Sequence, residues 1–187
     1  TKFSPDTRRG EFYGLGASWV ISKEGFLADS NNINLLKLRA SYGELGNNKI
    51  IRDGADSYLR YQTLCSAGNN QLGQTGVILD SPANYDLTWE ASVTTTIGLD
   101  FGLFKNRLTG NVDYFKREST DLIYSRPTPG SVGNTTYLDN IGAIENYGWE
   151  LNLSSKNINT DTFTWTTNFN ISTYKNRLTE LNQASFQ

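Results

Sequence analysis

The sequence predicts an all-β fold: an antiparallel transmembrane β-barrel segment of about six strands. Three observations support this prediction. Apolar and polar side chains alternate along several segments of strand length. Short and long connections between these segments alternate along the chain, and aromatic residues recur near the segment ends. These features are typical of a barrel wall with lipid outside and water inside.

Residues 92–117 give the clearest pattern and read as two strands joined by a turn at 104–107. Successive side chains on a strand point to opposite faces, so one face of this hairpin is apolar. The opposite face carries Asp100, Asn111 and Asp113, which are too polar for a dry core. Two environments fit the pattern: a sheet with one solvated face, or a barrel wall.

Four further segments alternate in the same way: 11–21, 35–43, 149–154 and 163–172. In the second of them, Lys37 and Arg39 lie opposite Leu36 and Leu38. Charges at every second position would be expelled from the core of a β-sandwich, but they fit a solvated lumen. The same lumen explains Asp100, Asp113 and Glu150 better than a catalytic carboxylate pair does.

The connections between the six segments differ in length in a regular order. Short ones (22–34, 104–106 and 156–162) alternate strictly with long ones (44–90 and 118–146). Outer-membrane barrels show this asymmetry, with tight periplasmic turns and long external loops. A loop of more than about 40 residues is also unusual inside a compact soluble domain.

Seven aromatic residues fall near the predicted strand ends, and we expect them to lie at the two membrane interfaces. The periplasmic group is Trp19, Phe101 and Trp165, and the external group is Tyr42, Trp89, Tyr114 and Trp149. Ordinary aromatic usage in strands is the alternative interpretation. A short sequence also recurs, since residues 104–109 (FKNRLT) return as 174–179 (YKNRLT). Two copies indicate similar strand-end chemistry and not an architectural repeat.

Composition excludes several classes of function. The chain has 17 basic and 19 acidic residues, so its charge gives no indication of nucleic-acid binding. It contains no His, and Cys65 is its single cysteine. We therefore predict no catalytic, cofactor-binding or metal-binding residue. No apolar run reaches the 18 or so residues of a membrane-spanning helix. The start of the chain does not resemble a signal peptide, so we expect a fragment of a longer protein.

Several segments together resemble the C-terminal barrel region of SusC/RagA-type TonB-linked outer-membrane proteins. The similar segments are 36–43 (LKLRASYG), 87–90 (LTWE), 97–110 (IGLDFGLFKNRLTG), 112–117 (VDYFKR), 137–142 (YLDNIG) and 145–151 (ENYGWEL). Their order and spacing agree over nearly the whole chain, and the resemblance is weakest in the loop 44–86. The resemblance implies that residues 1–187 form part of a larger plugged barrel of about 22 strands.

The family resemblance also implies a function and a location. Such proteins import oligosaccharides or peptides across the outer membrane of Gram-negative bacteria, with a SusD-like lipoprotein as an external lid. TonB would act through parts of the protein that this chain lacks, namely the plug and its coupling segment.

Three tyrosines in the predicted external loops are candidate contacts for substrate or lid: Tyr58, Tyr61 and Tyr137. Plain packing within the loops is the alternative for each of them. For the chain as a whole, the alternative is a soluble extracellular β-sandwich that binds carbohydrate. The two interpretations differ in what covers the apolar face, because a sandwich buries it against a second sheet.

Overall fold

The computed structural model describes residues 2–27, 29–52, 55–71, 73–129, 131 and 136–181. Twelve strands and one short 3-10 helix, Ile21–Lys23, lie within these residues. The strands are β1 (Gly14–Val20), β2 (Ile33–Asn47), β3 (Ile51–Arg52), β4 (Ala55–Asp56), β5 (Leu64–Gln71), β6 (Gln74–Ser81), β7 (Glu90–Leu103), β8 (Leu108–Thr120), β9 (Ile123–Pro127), β10 (Thr136–Asn140), β11 (Ala143–Asn159) and β12 (Thr164–Glu180).

Six of the strands form one antiparallel sheet in the order β1-β2-β7-β8-β11-β12. This sheet confirms the all-β fold class, and each of the six predicted segments is one of its strands. Five of the strands are longer than the alternation predicted, and β11 and β12 each have 17 residues, whereas β1, with seven, is shorter than the predicted segment 11–21. The remaining six strands form three two-stranded sheets within the long connections.

The register joins one side chain from every strand of the large sheet into a single row. This apolar row consists of Trp19, Leu38, Leu99, Val112, Leu151 and Ile171. Directly paired residues of an antiparallel sheet point to the same side, so the row defines one face, called here the apolar face. Among the described residues, no second sheet packs over this face.

The three short connections lie at one end of the sheet, called here the short-turn end. At this end, the last paired residue of β1 is Val20, one position beyond the apolar row. The last paired residue is four positions beyond the row in β7 (Leu103) and eight positions beyond it in β11 (Asn159). This progressive stagger means that the strands are tilted relative to the line of their turns. Closing a sheet into a barrel requires such a tilt.

The turn between β7 and β8 contains three consecutive residues with left-handed backbone angles. Phe104, Lys105 and Asn106 have φ values of 53°, 58° and 59°. This region is unfavourable for residues other than glycine. Hydrogen bonds to two neighbouring segments oppose that cost: the Phe104 amide donates to the Asn32 carbonyl, just before β2, at 2.8 Å, and the Lys156 amide of β11 donates to the Arg107 carbonyl at 2.8 Å.

The opposite, long-loop end of the sheet has a small hydrophobic core of its own. Phe3, Ile50 and Leu87 are buried there, and Trp89, Ile123 and Leu138 pack against them. These residues come from the N-terminal segment and from both long connections. This loop core therefore holds together parts of the chain that are distant in sequence.

Asn140 connects the two long connections by hydrogen bonds. Its Nδ2 donates to the carbonyls of Thr88, at 3.0 Å, and Asp121, at 2.7 Å, and its Oδ1 accepts from the Thr88 amide at 2.8 Å. A single side chain thus satisfies three backbone groups that would otherwise lack partners.

We predict that Asn140→Ala opens the loop end without disturbing the large sheet. Leaving partly buried backbone groups unpaired costs about 1–3 kcal/mol, which corresponds to roughly tenfold or greater acceleration of amide exchange. Hydrogen–deuterium exchange at residues 87–89 and 122–123 measures this effect. Asn157→Ala is the control, since the amide of Asn157 bonds only to exposed side chains. Equal protection in both variants would contradict this role for Asn140.

Candidate functional site

The apolar face is exposed in the middle of the large sheet, where a soluble domain would cover it. Exposed residues on this face include Trp19, Leu38, Ile97, Trp149, Phe169 and Ile171. Trp149 is 57% exposed although it packs against Tyr114, with ring centroids 5.1 Å apart. An exposed apolar surface that extends across six strands indicates contact with another apolar phase or partner.

Six of the seven predicted interface aromatics lie on the apolar face, at two levels. Trp19, Phe101 and Trp165 lie within two residues of the last pair at the short-turn end of their strands. Tyr42, Tyr114 and Trp149 lie five or six residues from the other end of theirs. The geometry is compatible with two aromatic belts, and a position at a membrane interface stays a prediction.

Charged residues mark the limit of the apolar face on the long-loop side. Lys116 is two residues beyond Tyr114 on the same face, and its Nζ lies 2.6 Å from Glu118 and 3.1 Å from Glu145. On β11, the residues from Trp149 to Ile158 separate this charged level from the short turn. That span matches the ~9–11 residues with which a tilted strand crosses a bilayer.

The opposite, polar face has an ion-pair network at its centre, formed by Arg39. Its Nε donates to both carboxylate oxygens of Asp100 at 2.9 and 3.1 Å, and its Nη2 donates to both oxygens of Asp113 at 2.7 and 3.0 Å. Asn111 also donates to Asp113, whose side chain is 11% exposed. One guanidinium therefore bridges two carboxylates on neighbouring strands, and the Lys37 ammonium, 4.0 Å from Asp100, supplies a second positive charge.

Gly98 makes this network possible because it is paired directly with both Arg39 and Asp113. A Cβ atom at position 98 would fall 2.9 Å from the guanidinium carbon of Arg39. The arginine side chain can cross β7 only where that strand has no side chain on the polar face.

A cavity of about 480 Å³ lies on the polar face next to this network. Its walls include Arg39, Asp113, Arg117, Asn146 and Glu150. Side chains of both charges and a neutral amide surround it. The arrangement provides a polar surface with donors and acceptors, and the described residues contain no group of three or more potential metal ligands.

The three tyrosines that the sequence suggested as ligand contacts have different surroundings in the structure. Tyr58 is 59% exposed, and the Lys2 ammonium lies 5.5 Å from the centre of its ring. Tyr137 is half-buried beneath Arg126, and desolvation together with the charge of Asp139 raises the pKa of its hydroxyl. Whether either tyrosine binds a ligand stays a prediction.

Two of the predicted site residues differ from expectation because tertiary packing places them inside the loop end. Tyr61 is only 8% exposed and packs edge-on against Tyr85, so it offers little surface to a ligand. Trp89 lies before β7, between Phe3 and Phe12, and not among the exposed aromatics of the apolar face. Two further loop tyrosines, Tyr85 and Tyr124, are exposed and were not predicted from the sequence.

A sheet with one uncovered apolar face, a charged opposite face and staggered turns is the wall of an antiparallel β-barrel. A family model described as "TonB dependent receptor-like, beta-barrel" matches residues 1–186. The chain therefore belongs to the TonB-dependent receptor β-barrel family, which confirms the resemblance found in the sequence. This family is found in the outer membrane of Gram-negative bacteria. No helix among the described residues is long and apolar enough to cross a membrane.

Named relatives agree with this assignment. The chain is 35% identical over 184 residues to TonB-dependent receptor P26 of Formosa agariphila and 37% identical over 188 residues to TonB-dependent receptor SusC of Bacteroides thetaiotaomicron. Each alignment covers 97% of this chain but 18% of the relative. Among solved structures, the RagAB peptide importer in its open-open state superposes with a TM-score of 0.84 at 27% identity, over 98% of this chain and 19% of that one.

We predict that Gly98→Ala destabilises the complete receptor by about 2 kcal/mol, because the new methyl group displaces Arg39 and leaves Asp113 poorly paired. Urea unfolding in detergent micelles measures the change. Gly43→Ala is the matched control: it lies on the same polar face, and a Cβ atom at position 43 would have no other atom within 4 Å. The control should stay within about 0.5 kcal/mol of the parent protein. Similar losses in both variants would remove the basis for a specific role of Gly98.

Proposed function

We propose that this chain forms part of the barrel wall of an outer-membrane, TonB-dependent transporter that imports oligosaccharides or peptides. The observation that carries the proposal is the contrast between the two faces of the large sheet. The apolar row would contact the acyl chains of the lipid, and the Arg39 network would line a hydrated lumen. Residues 1–187 would then be one segment of a larger plugged barrel. This role requires no catalysis.

Three partners follow from this proposal. The lipid of the outer membrane would cover the apolar face, and TonB would act through parts of the receptor outside these residues. A SusD-like lipoprotein would close the outer end as a lid. Support for a lid comes from the relatives, since one is named SusC and the RagAB peptide importer was solved in states described as open-open and closed-closed.

The alternative of a soluble β-sandwich has no support. A sandwich needs a second sheet over the apolar face, and the described part of the chain places none there. In water, such a sheet would expose its apolar row and two long unpaired edges, which promote aggregation.

Adjacent residues of β11 provide a direct test of which face meets lipid. Leu151 belongs to the apolar row, and Asn152 points to the polar face at nearly the same depth. We predict that Leu151→Arg destabilises the receptor by about 2–4 kcal/mol in a lipid bilayer, whereas Asn152→Arg costs much less, because only the former places a charge in hydrocarbon.

The measurement is equilibrium refolding of the complete receptor into phospholipid vesicles, with each variant compared to the parent protein. Equal costs at the two positions would contradict the assignment of the faces. A larger cost at Asn152 would reverse it.

A further inference from the structure

The hairpin formed by β9 and β10 has two faces with different roles. Its register pairs Tyr124 with Asp139 and Arg126 with Tyr137 without irregularity, so these four side chains share one face. Ile123 and Leu138 lie on the other face and pack against the loop core. The face with the two tyrosines is therefore turned away from the loop core, although the amide of Asn84 still reaches Asp139 at 3.5 Å.

This outer face carries an ordered pair of charges. Arg126 lies over the ring of Tyr137, with its guanidinium carbon 5.3 Å from the ring centre, and its Nη2 is 3.6 Å from Asp139. The Nε of Arg126 is buried and donates to no acceptor among the described residues. Asp139 also accepts a bond from the Asn140 amide at 3.1 Å. Both charged groups are thus held in place beside Tyr124.

Tyr124 itself provides an open aromatic surface. Its side chain is 55% exposed, and its cross-strand partner is Asp139. The Cβ atoms of two residues paired in this way are about 5 Å apart. A ring that stacks on Tyr124 would therefore lie beside the fixed carboxylate of Asp139. The guanidinium of Arg126 follows two residues later in β9, on the same face.

We propose that the outer face of the β9–β10 hairpin is a binding site for a neutral oligosaccharide, with a sugar ring stacked on Tyr124 and its hydroxyls bonded to Asp139 and Arg126. The proposal rests on the transport function proposed above and selects one of its two substrate classes.

A sugar ring fits the chemistry of this face. A pyranose has an apolar C–H face that fits an aromatic ring, and its hydroxyl groups both donate and accept hydrogen bonds. Asp139 supplies an acceptor and Arg126 supplies donors, so both needs are met. The charges of the two residues oppose each other, so the face does not select a charged ligand.

The test is equilibrium binding to the complete receptor in detergent, which does not depend on transport. The probes are maltohexaose, cellohexaose and mannohexaose, with a neutral hexapeptide of glycine and serine as the competing class. We expect at least one of the hexasaccharides to bind. We expect Tyr124→Ala to weaken that binding at least tenfold, and Tyr124→Phe to keep it within about twofold, because the ring and not the hydroxyl makes the contact.

Phe26→Ala is the control, because Phe26 is also an exposed aromatic residue, at 72%, but lies in the connection between β1 and β2, at the short-turn end of the sheet. It should leave saccharide binding unchanged. Unfolding midpoints of all variants are compared so that a folding defect is recognised, and Tyr124→Phe gives a second measurement if Tyr124→Ala is unstable.

Three results would overturn the inference. They are the absence of binding by every hexasaccharide, equal effects of Tyr124→Ala and Phe26→Ala, and a loss in Tyr124→Ala that affects the peptide alone. None of them would affect the barrel proposal, because the arginine substitutions at Leu151 and Asn152 test that proposal separately. A receptor that refolds into lipid as expected but binds none of the saccharides would remove this inference and leave the barrel assignment in place.

Discussion

Cross-strand register is the constraint on which the whole sheet depends. A shift of one residue in any ladder would turn every apolar side chain of that strand to the polar face. In the observed register, Arg39 is opposite Gly98 and Gly98 is opposite Asp113, so a salt bridge can span three strands. A one-residue slip of β7 would place Ile97 or Leu99 beneath the guanidinium and separate it from both carboxylates. The ion pairs therefore contribute to specificity of pairing as well as to stability.

The large sheet could be predicted from the sequence because its signal is local. Alternation in residues such as Ile97, Leu99 and Phe101 reports the two environments of a strand directly. The outer parts of the strands were missed because, beyond Tyr114 and Trp149, charged residues such as Lys116 and Glu145 occupy the apolar face and end the alternation. In these outer parts both faces of the strand carry polar side chains. The backbone pairing continues there, but apolar and polar residues no longer alternate.

The loop end was much less predictable, because its structure arises from contacts between distant segments. Nothing near Trp89 in the sequence indicates that Phe3 and Phe12 will pack against it. The same applies to Tyr61, which is buried by tertiary packing. The recurring sequence is a further case: residues 104–109 form a turn with left-handed residues, whereas 174–179 lie in β12 at the opposite end of the sheet. Nearly identical local sequences adopt different structures when their pairing partners differ.

The two ends of the molecule thus meet different physical requirements. In the barrel wall, the ion pairs of Arg39 connect β2, β7 and β8 on one face, and the apolar row extends across all six strands on the other. In the β9–β10 hairpin, Ile123 and Leu138 fix the packing from one face, and Asn140 fixes the adjoining backbone. The residues of its outer face contribute little to either. A surface that is held rigidly from behind but is free in its own side chains can change what it recognises without loss of the fold, which is why recognition is often located on loops that a stable scaffold positions.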